Sequence, residues 1–212
     1  MNGKVSRRAL LLAAATGAGM GLSGCGGLIP QAPPSNLYTL SPKTTYQADM
    51  PRVGWQLVVE EPYAAGGLDT HRIAIMTNPY EIKYYADARW AERAPRMVQT
   101  LLVESFENTG RIVSVGRQSI GLRSDFNVKS ELREFQAELR EGTAAPVVRV
   151  TLNVKLIAQP NQQIVASASF ERREAAKAAD MLSVIEAFDT ALGSVMREIV
   201  QWTLLTAPRN PA

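Results

Sequence analysis

The chain of 212 residues contains one cysteine and one histidine, and each scarcity removes a class of chemistry. With Cys25 alone, no disulfide can close inside the chain, so the fold must hold by packing. With His71 alone, no metal site can be assembled from several imidazoles, and a Ser-His-Asp triad has no other histidine to use. The nucleophile elbow Gly-X-Ser-X-Gly is missing too, because Ser114, set in Val113-Ser114-Val115-Gly116, does not complete it. Gly66 and Gly67 lack the following Lys and Ser or Thr of a phosphate loop. His71 beside Arg72 at a strand start reads as a surface residue, and the carboxylate pairs Glu60/Glu61 and Glu171/Glu174 read as solvated charge. A hydrolase resting on His71 has little basis, and the expectation is a protein that is not an enzyme, with neither a metal nor a free cofactor.

Long apolar runs and surplus charge are equally scarce. The uncharged stretch Ala9 to Met20 has about a dozen residues, against the ~20 that a membrane-crossing helix needs. The formal net charge is +3, yet Lys4, Arg7 and Arg8 account for all of it. Removing the first 24 residues leaves 188, with 20 basic against 20 acidic side chains. That balance gives no ground for nucleic-acid binding or for electrostatic attachment of the whole chain to a membrane.

What is present at the N-terminus is a three-part export signal: a basic start, an apolar middle, and Leu22-Ser23-Gly24-Cys25 at its end. The quartet resembles the lipobox of bacterial lipoproteins. The resemblance implies cleavage just before Cys25, a thioether-linked S-diacylglycerol on its sulfur, and an N-acyl group on the freed amine. Only cysteine can form that thioether. One acyl chain binds a membrane marginally and two or more anchor stably, at about 0.8 kcal/mol per buried methylene. Ser6 to Leu11, with Arg7-Arg8 at its centre, also resembles the twin-arginine export signal, so the Sec and twin-arginine routes both stay open. Gly26, where an Asp would retain a lipoprotein at the inner membrane, resembles the signal for transfer to the outer membrane. The expected organisation is a signal peptide over 1–24, a lipidated cysteine and Gly/Pro-rich tether over 25–41, one folded domain over 42–205 and a tail over 206–212.

Within the domain, apolar periodicity predicts two helices, about 92–108 and 181–204. Pro95 sits in the first turn of the former and Gly110 just past its end. Alternation predicts strands near Tyr38 to Leu40, Gln56 to Glu60, Arg72 to Thr77, Tyr80 to Tyr85, Ile112 to Val115, Phe126 to Leu139, Val148 to Leu156 and Ile164 to Phe170. The phase slips between residues 128 and 135, which predicts a bulge. Ile164, Ala166, Ala168 and Phe170 are expected to share one inner face, and Glu171-Arg172-Arg173-Glu174 to be a solvated connection into the last helix, with a docking patch as the rival reading. The fold class is α+β: a single domain with a mixed, mostly antiparallel sheet of about seven strands packed with two long helices.

Tyr84-Tyr85, Arg89-Trp90-Ala91, Pro95, Leu101-Leu102, Gly110 and Val113 to Val115 together resemble the ABC-type transport auxiliary lipoproteins, outer-membrane components of intermembrane lipid-transport systems that contain MCE-domain proteins. The similarity continues through Phe126 to Phe135, residues 148–156, and Ala187, Phe188, Asp189, Ala191, Leu192 and Ile199 to Trp202. It thus covers most of 36–204. The resemblance implies a periplasmic part, lipid-anchored at the outer membrane, that docks an MCE-domain protein with its ABC permease and ATPase and supports envelope integrity. Homo-oligomerisation stays open. Arg89 and Trp90 are the candidate partner contacts, with the rival reading that Trp90 packs the helix start onto the sheet and Arg89 covers it. A second hypothesis is a lipid chaperone holding a phospholipid acyl chain, with Phe106, Phe188 and Met196 as lining. Their spacing is equally that of an ordinary core.

Overall fold

The computed structural model describes residues 35–117 and 123–208. The lipobox, Cys25, Gly26 and the tether up to residue 34 lie outside these residues. The described residues belong to one compact unit, Pro34–Ala212. Its elements in chain order are β1 (Asn36–Tyr38), β2 (Val53–Val59), β3 (Tyr63–Ala64), β4 (Arg72–Asn78), β5 (Glu81–Trp90), α1 (Ala94–Glu107), β6 (Ile112–Arg117), β7 (Phe126–Glu138), β8 (Val147–Ala158), β9 (Gln163–Ala175) and α2 (Met181–Thr206).

The nine strands form one mixed sheet around β7. One edge of β7 pairs antiparallel with β8, and β8 with β9, giving a long meander. Its other edge is shared end to end by three strands that all run parallel to it. β2 pairs at Phe126 to Val128, β3 at Glu131 and Leu132, and β4 at Gln136 to Glu138. Beyond them, β6 lies parallel to β2, β5 antiparallel to β4, and β1 parallel to β5. The α+β class and the mixed sheet therefore hold, and the long ladders are antiparallel as expected. Among the described residues the count is nine rather than about seven: the strand expected at Tyr38 to Leu40 lies at Asn36–Tyr38, and the two-residue β3, which carries almost no periodicity of its own, is added. The expected bulge is present: Leu132 pairs with Leu152 and Glu134 with Thr151, leaving Arg133 as the extra residue.

Alternation explains the meander's inner side. Val148, Val150, Leu152, Val154 and Leu156 of β8 are all at most 1% exposed, and α2 packs over β8 and β9 on this side. Burying each such side chain is worth about 1.5–3 kcal/mol. Helix α1 packs against β6 and β2 and touches α2. Pro95 occupies its first turn, where no intrahelical donor is required. After Asn108 the chain turns through Gly110 at φ +59°, a backbone conformation that suits glycine. Helix α2 starts at Asp180, whose carboxylate accepts from the Ser183 amide at 3.0 Å and from the Ser183 hydroxyl at 2.7 Å. The amide bond first, and the hydroxyl bond next, hold the Asp180 carboxyl below the usual aspartate range.

The structure corrects four local expectations. The fold begins before residue 42: β1 pairs with β5, Leu40 is buried, and the Ser41 amide donates to Asp189 Oδ1 at 2.6 Å. Farther along, Tyr46 Oη donates to the Ser105 carbonyl at 2.6 Å, and burial pushes its phenol up to about 12. At the other end, Ala207 is buried, so the expected tail loses its first residues to α2 and the core. Glu171 to Glu174 are strand residues of β9, not a connection. Ile164 is exposed, because β9 inserts Val165 between the pairs Leu156/Ala166 and Ile157/Ile164 and so breaks the inner-face alternation.

Candidate functional site

The β7–β8–β9 meander has a second face, turned away from the helices, and there the strand register assembles a charged network. Arg149 of β8 meets Glu171 of β9 in a two-pronged contact, Nε to Oε1 at 3.2 Å and Nη2 to Oε2 at 3.1 Å. Its Nη1 lies 3.3 Å from Glu134 Oε1 and 3.7 Å from Glu138 Oε1 on β7. Arg173 completes the network, with Nε 3.0 Å from Glu171 Oε1 and Nη1 3.5 Å from Glu138 Oε2. Beside it opens a cleft of about 520 Å³, closed on one side by Met76 to Pro79 of the β4–β5 hairpin and lined also by Gln136 and Arg140.

Hydrogen bonds from Arg149, then from Arg173, pull the Glu171 carboxyl down to about 2, and the Glu171 bond raises Arg149 in return. Neither group is brought toward neutral pH, where an acid–base catalyst works. The arrangement is one of fixed, mutually oriented charges, a chemistry suited to recognition.

Few of the residues singled out in the sequence meet here. His71 is exposed at the entrance to β4, and its carbonyl accepts from the Trp90 amide at 2.7 Å. Trp90 is 1% exposed and cannot touch a partner. Its ring stands edge-on to Phe188 at 5.1 Å and tilted against Phe135 at 5.5 Å, so it joins β5, β7 and α2 in the core. Arg89, its neighbour, points the other way and is exposed, in register with Leu37 of β1 and Arg72 of β4. The acyl-lining expectation is also corrected: Phe106 and Phe188 are fully buried, and Met196 is 1% exposed with its sulfur 3.6 Å from Ser105 Oγ. These side chains are packed against neighbours, and none of them lines the clefts at Met76–Pro79, at Tyr46–Arg197 or at Ser41–Asp189. Cys25 and Leu22 to Gly24 fall outside the described residues.

Glu171 and Arg173 belong to the charged run read from the sequence as a connection or a docking patch, but their partners Glu134, Glu138 and Arg149 carry no local signal beyond alternating with inner-face positions.

A crystal structure of a Xanthomonas campestris protein of the DUF330 family is similar to the chain at 34% identity with a TM-score of 0.77, covering 81% of this chain and 96% of that one. A second solved structure, of an uncharacterised protein, shares the fold at 15% identity and a TM-score of 0.61, covering 79% and 97% of the two chains. An uncharacterised protein of Bradyrhizobium diazoefficiens is 28% identical over 152 residues, which is 70% of this chain but 39% of that relative. The chain thus spans about two-fifths of that protein's length. The family model for the ABC-type transport auxiliary lipoprotein component matches residues 38–200, from the last residue of β1 to well inside α2, and the chain belongs to that family.

Proposed function

We propose that the protein is an outer-membrane-anchored periplasmic lipoprotein that serves, without catalysing a reaction, as an auxiliary component of an ABC/MCE-type system moving lipid between membranes. The observation that carries the reading is the match over 38–200 to the transport-auxiliary lipoprotein family, in a chain whose lipobox-like cysteine lies only eleven residues before β1. In this reading Cys25 carries the acyl groups, Gly26 directs the protein to the outer membrane, and the folded unit fixes the outer end of a lipid path. Acyl anchoring confines the domain to a surface and so raises its effective concentration toward a weakly bound partner. The charged face around Arg149 supplies oriented, ionised groups of the kind that set docking specificity.

The test is pull-down of the lipidated full-length protein after crosslinking in its native envelope. An MCE-domain protein and its ABC permease should be recovered together. Recovery of neither ends the assignment.

A further inference from the structure

Three strands, among them the first described one, place a short row of side chains on one face of the sheet. In register across β1, β5 and β4 stand Leu37, Arg89 and Arg72, and cross-strand partners share one face of a sheet. Leu37 is 68% exposed, and Arg89 is exposed beside it. The guanidinium of Arg72 lies 3.6 Å from the centroid of the Tyr84 ring, which holds it in place without neutralising it. Among the described residues neither arginine forms an ion pair. Asp69 is engaged by Arg93, and Asp87, exposed two residues before Arg89, pairs with neither.

Two like charges directly opposite each other on adjacent strands oppose folding, and a solvent-exposed leucine adds nothing to the core. The combination makes physical sense where an anionic, partly apolar surface meets it. That surface is close by: Asn36 lies eleven residues after Cys25, a span of at most roughly 40 Å even when fully extended. We infer that Leu37, Arg89 and Arg72 form a membrane-contact row that binds anionic phospholipid headgroups of the bilayer holding the lipid anchor. The arginines take the phosphates and Leu37 enters the headgroup layer. The contact orients the domain on the membrane, so the face around Arg149 is presented in a defined direction. The inference rests on lipidation at Cys25 as proposed above.

The experiment uses the lipidated full-length protein carrying Asn36→Cys. Acylation occupies the Cys25 sulfur, so a fluorophore attaches only at position 36. The protein is reconstituted into vesicles of phosphatidylcholine alone, or of phosphatidylcholine with about one-third phosphatidylglycerol, each doped with a headgroup-labelled quencher. Quenching should be strong only in the anionic vesicles and should vanish in 1 M salt, where the Debye length is about 3 Å. The ratio of docked to undocked domain should fall roughly five-fold for Arg89→Gln and as much again when Arg72→Gln is added. Lys155→Gln, on the open face of the meander, should change nothing. Quenching that is equal on both vesicle types, absent on both, or indifferent to the two arginines overturns the inference. If the probe responds only when an acidic protein is added, the row serves a protein partner and the inference is likewise wrong. Mass spectrometry of the same sample separates the two failures. An unmodified Cys25 removes the anchoring proposal itself, whereas a lipidated protein with an indifferent row removes only this inference.

Discussion

The two faces of the β7–β8–β9 meander are built from the same three strands and differ in nearly every respect. The inner face carries Leu132, Phe135, Val148, Val150 and Leu152, all at most 1% exposed, with α2 laid over it. The opposite face carries Arg149, Glu171 and Arg173, held by ion pairs and open to water. Apolar packing gains from every neighbour and tolerates no gap. Exposed ion pairs gain little from each other, because water and salt screen both partners. The inner face therefore holds the fold together, while the outer face is free to be shaped by whatever it meets.

Three substitutions break or sharpen that contrast. Trp90→Ala empties a site shared by β5, β7 and α2 and should lower unfolding stability by about 3–5 kcal/mol in a denaturant titration. A loss below ~1 kcal/mol would show that the Trp90, Phe135 and Phe188 cluster is not the keystone its geometry indicates. Asp180→Ala keeps the inner face but removes the cap of the helix that covers it, and should cost ~1 kcal/mol by the same measurement. Glu171→Gln acts on the outer face alone and should cost ~0–1 kcal/mol.

The same carboxyl sets a pH signature. Its folded value, about 2, lies below the ordinary value of 4.5, so its contribution is fully present above that ordinary value. It is lost as the pH falls toward 2. Stability measured between pH 5 and pH 2 should decline slightly less steeply in Glu171→Gln than in the parent. A steeper decline in the variant contradicts the assignment of Arg149 and Arg173 as its partners.

Legibility followed the same division. Helices expected at 92–108 and 181–204 end at Ala94–Glu107 and Met181–Thr206, because burial of one stripe writes a 3.6-residue period into the sequence. The strand β8 and the bulge at Arg133 were legible for the corresponding reason at period two. β5 runs on to Trp90, past the expected Tyr85. Its pairing with β4 jumps between Ala74/Tyr84 and Arg72/Arg89, and the alternation is lost across the irregularity. Glu171 to Glu174 look like a linker because charge masks a strand whose partner lies on β8. The parallel pairings of β7 and the cleft beside Arg149 join residues from 57 to 173, and no local pattern records such distances. Composition misled in one further way: a chain balanced at 20 basic and 20 acidic residues beyond its first 24 can still place Arg72 and Arg89 side by side, since a sum carries no positions.

The shared edge of β7 also orders events in time. The pairs β4–β5 and β2–β6 can form early, but the two halves of the sheet share no strand pairing until residues 126–138 exist. Closure then brings together segments far apart in the chain, which is slow compared with forming helices or hairpins. Until that middle strand arrives, the edges of β2 and β4 that it covers have no partner, and unpaired strand edges are where an incomplete chain can pair wrongly.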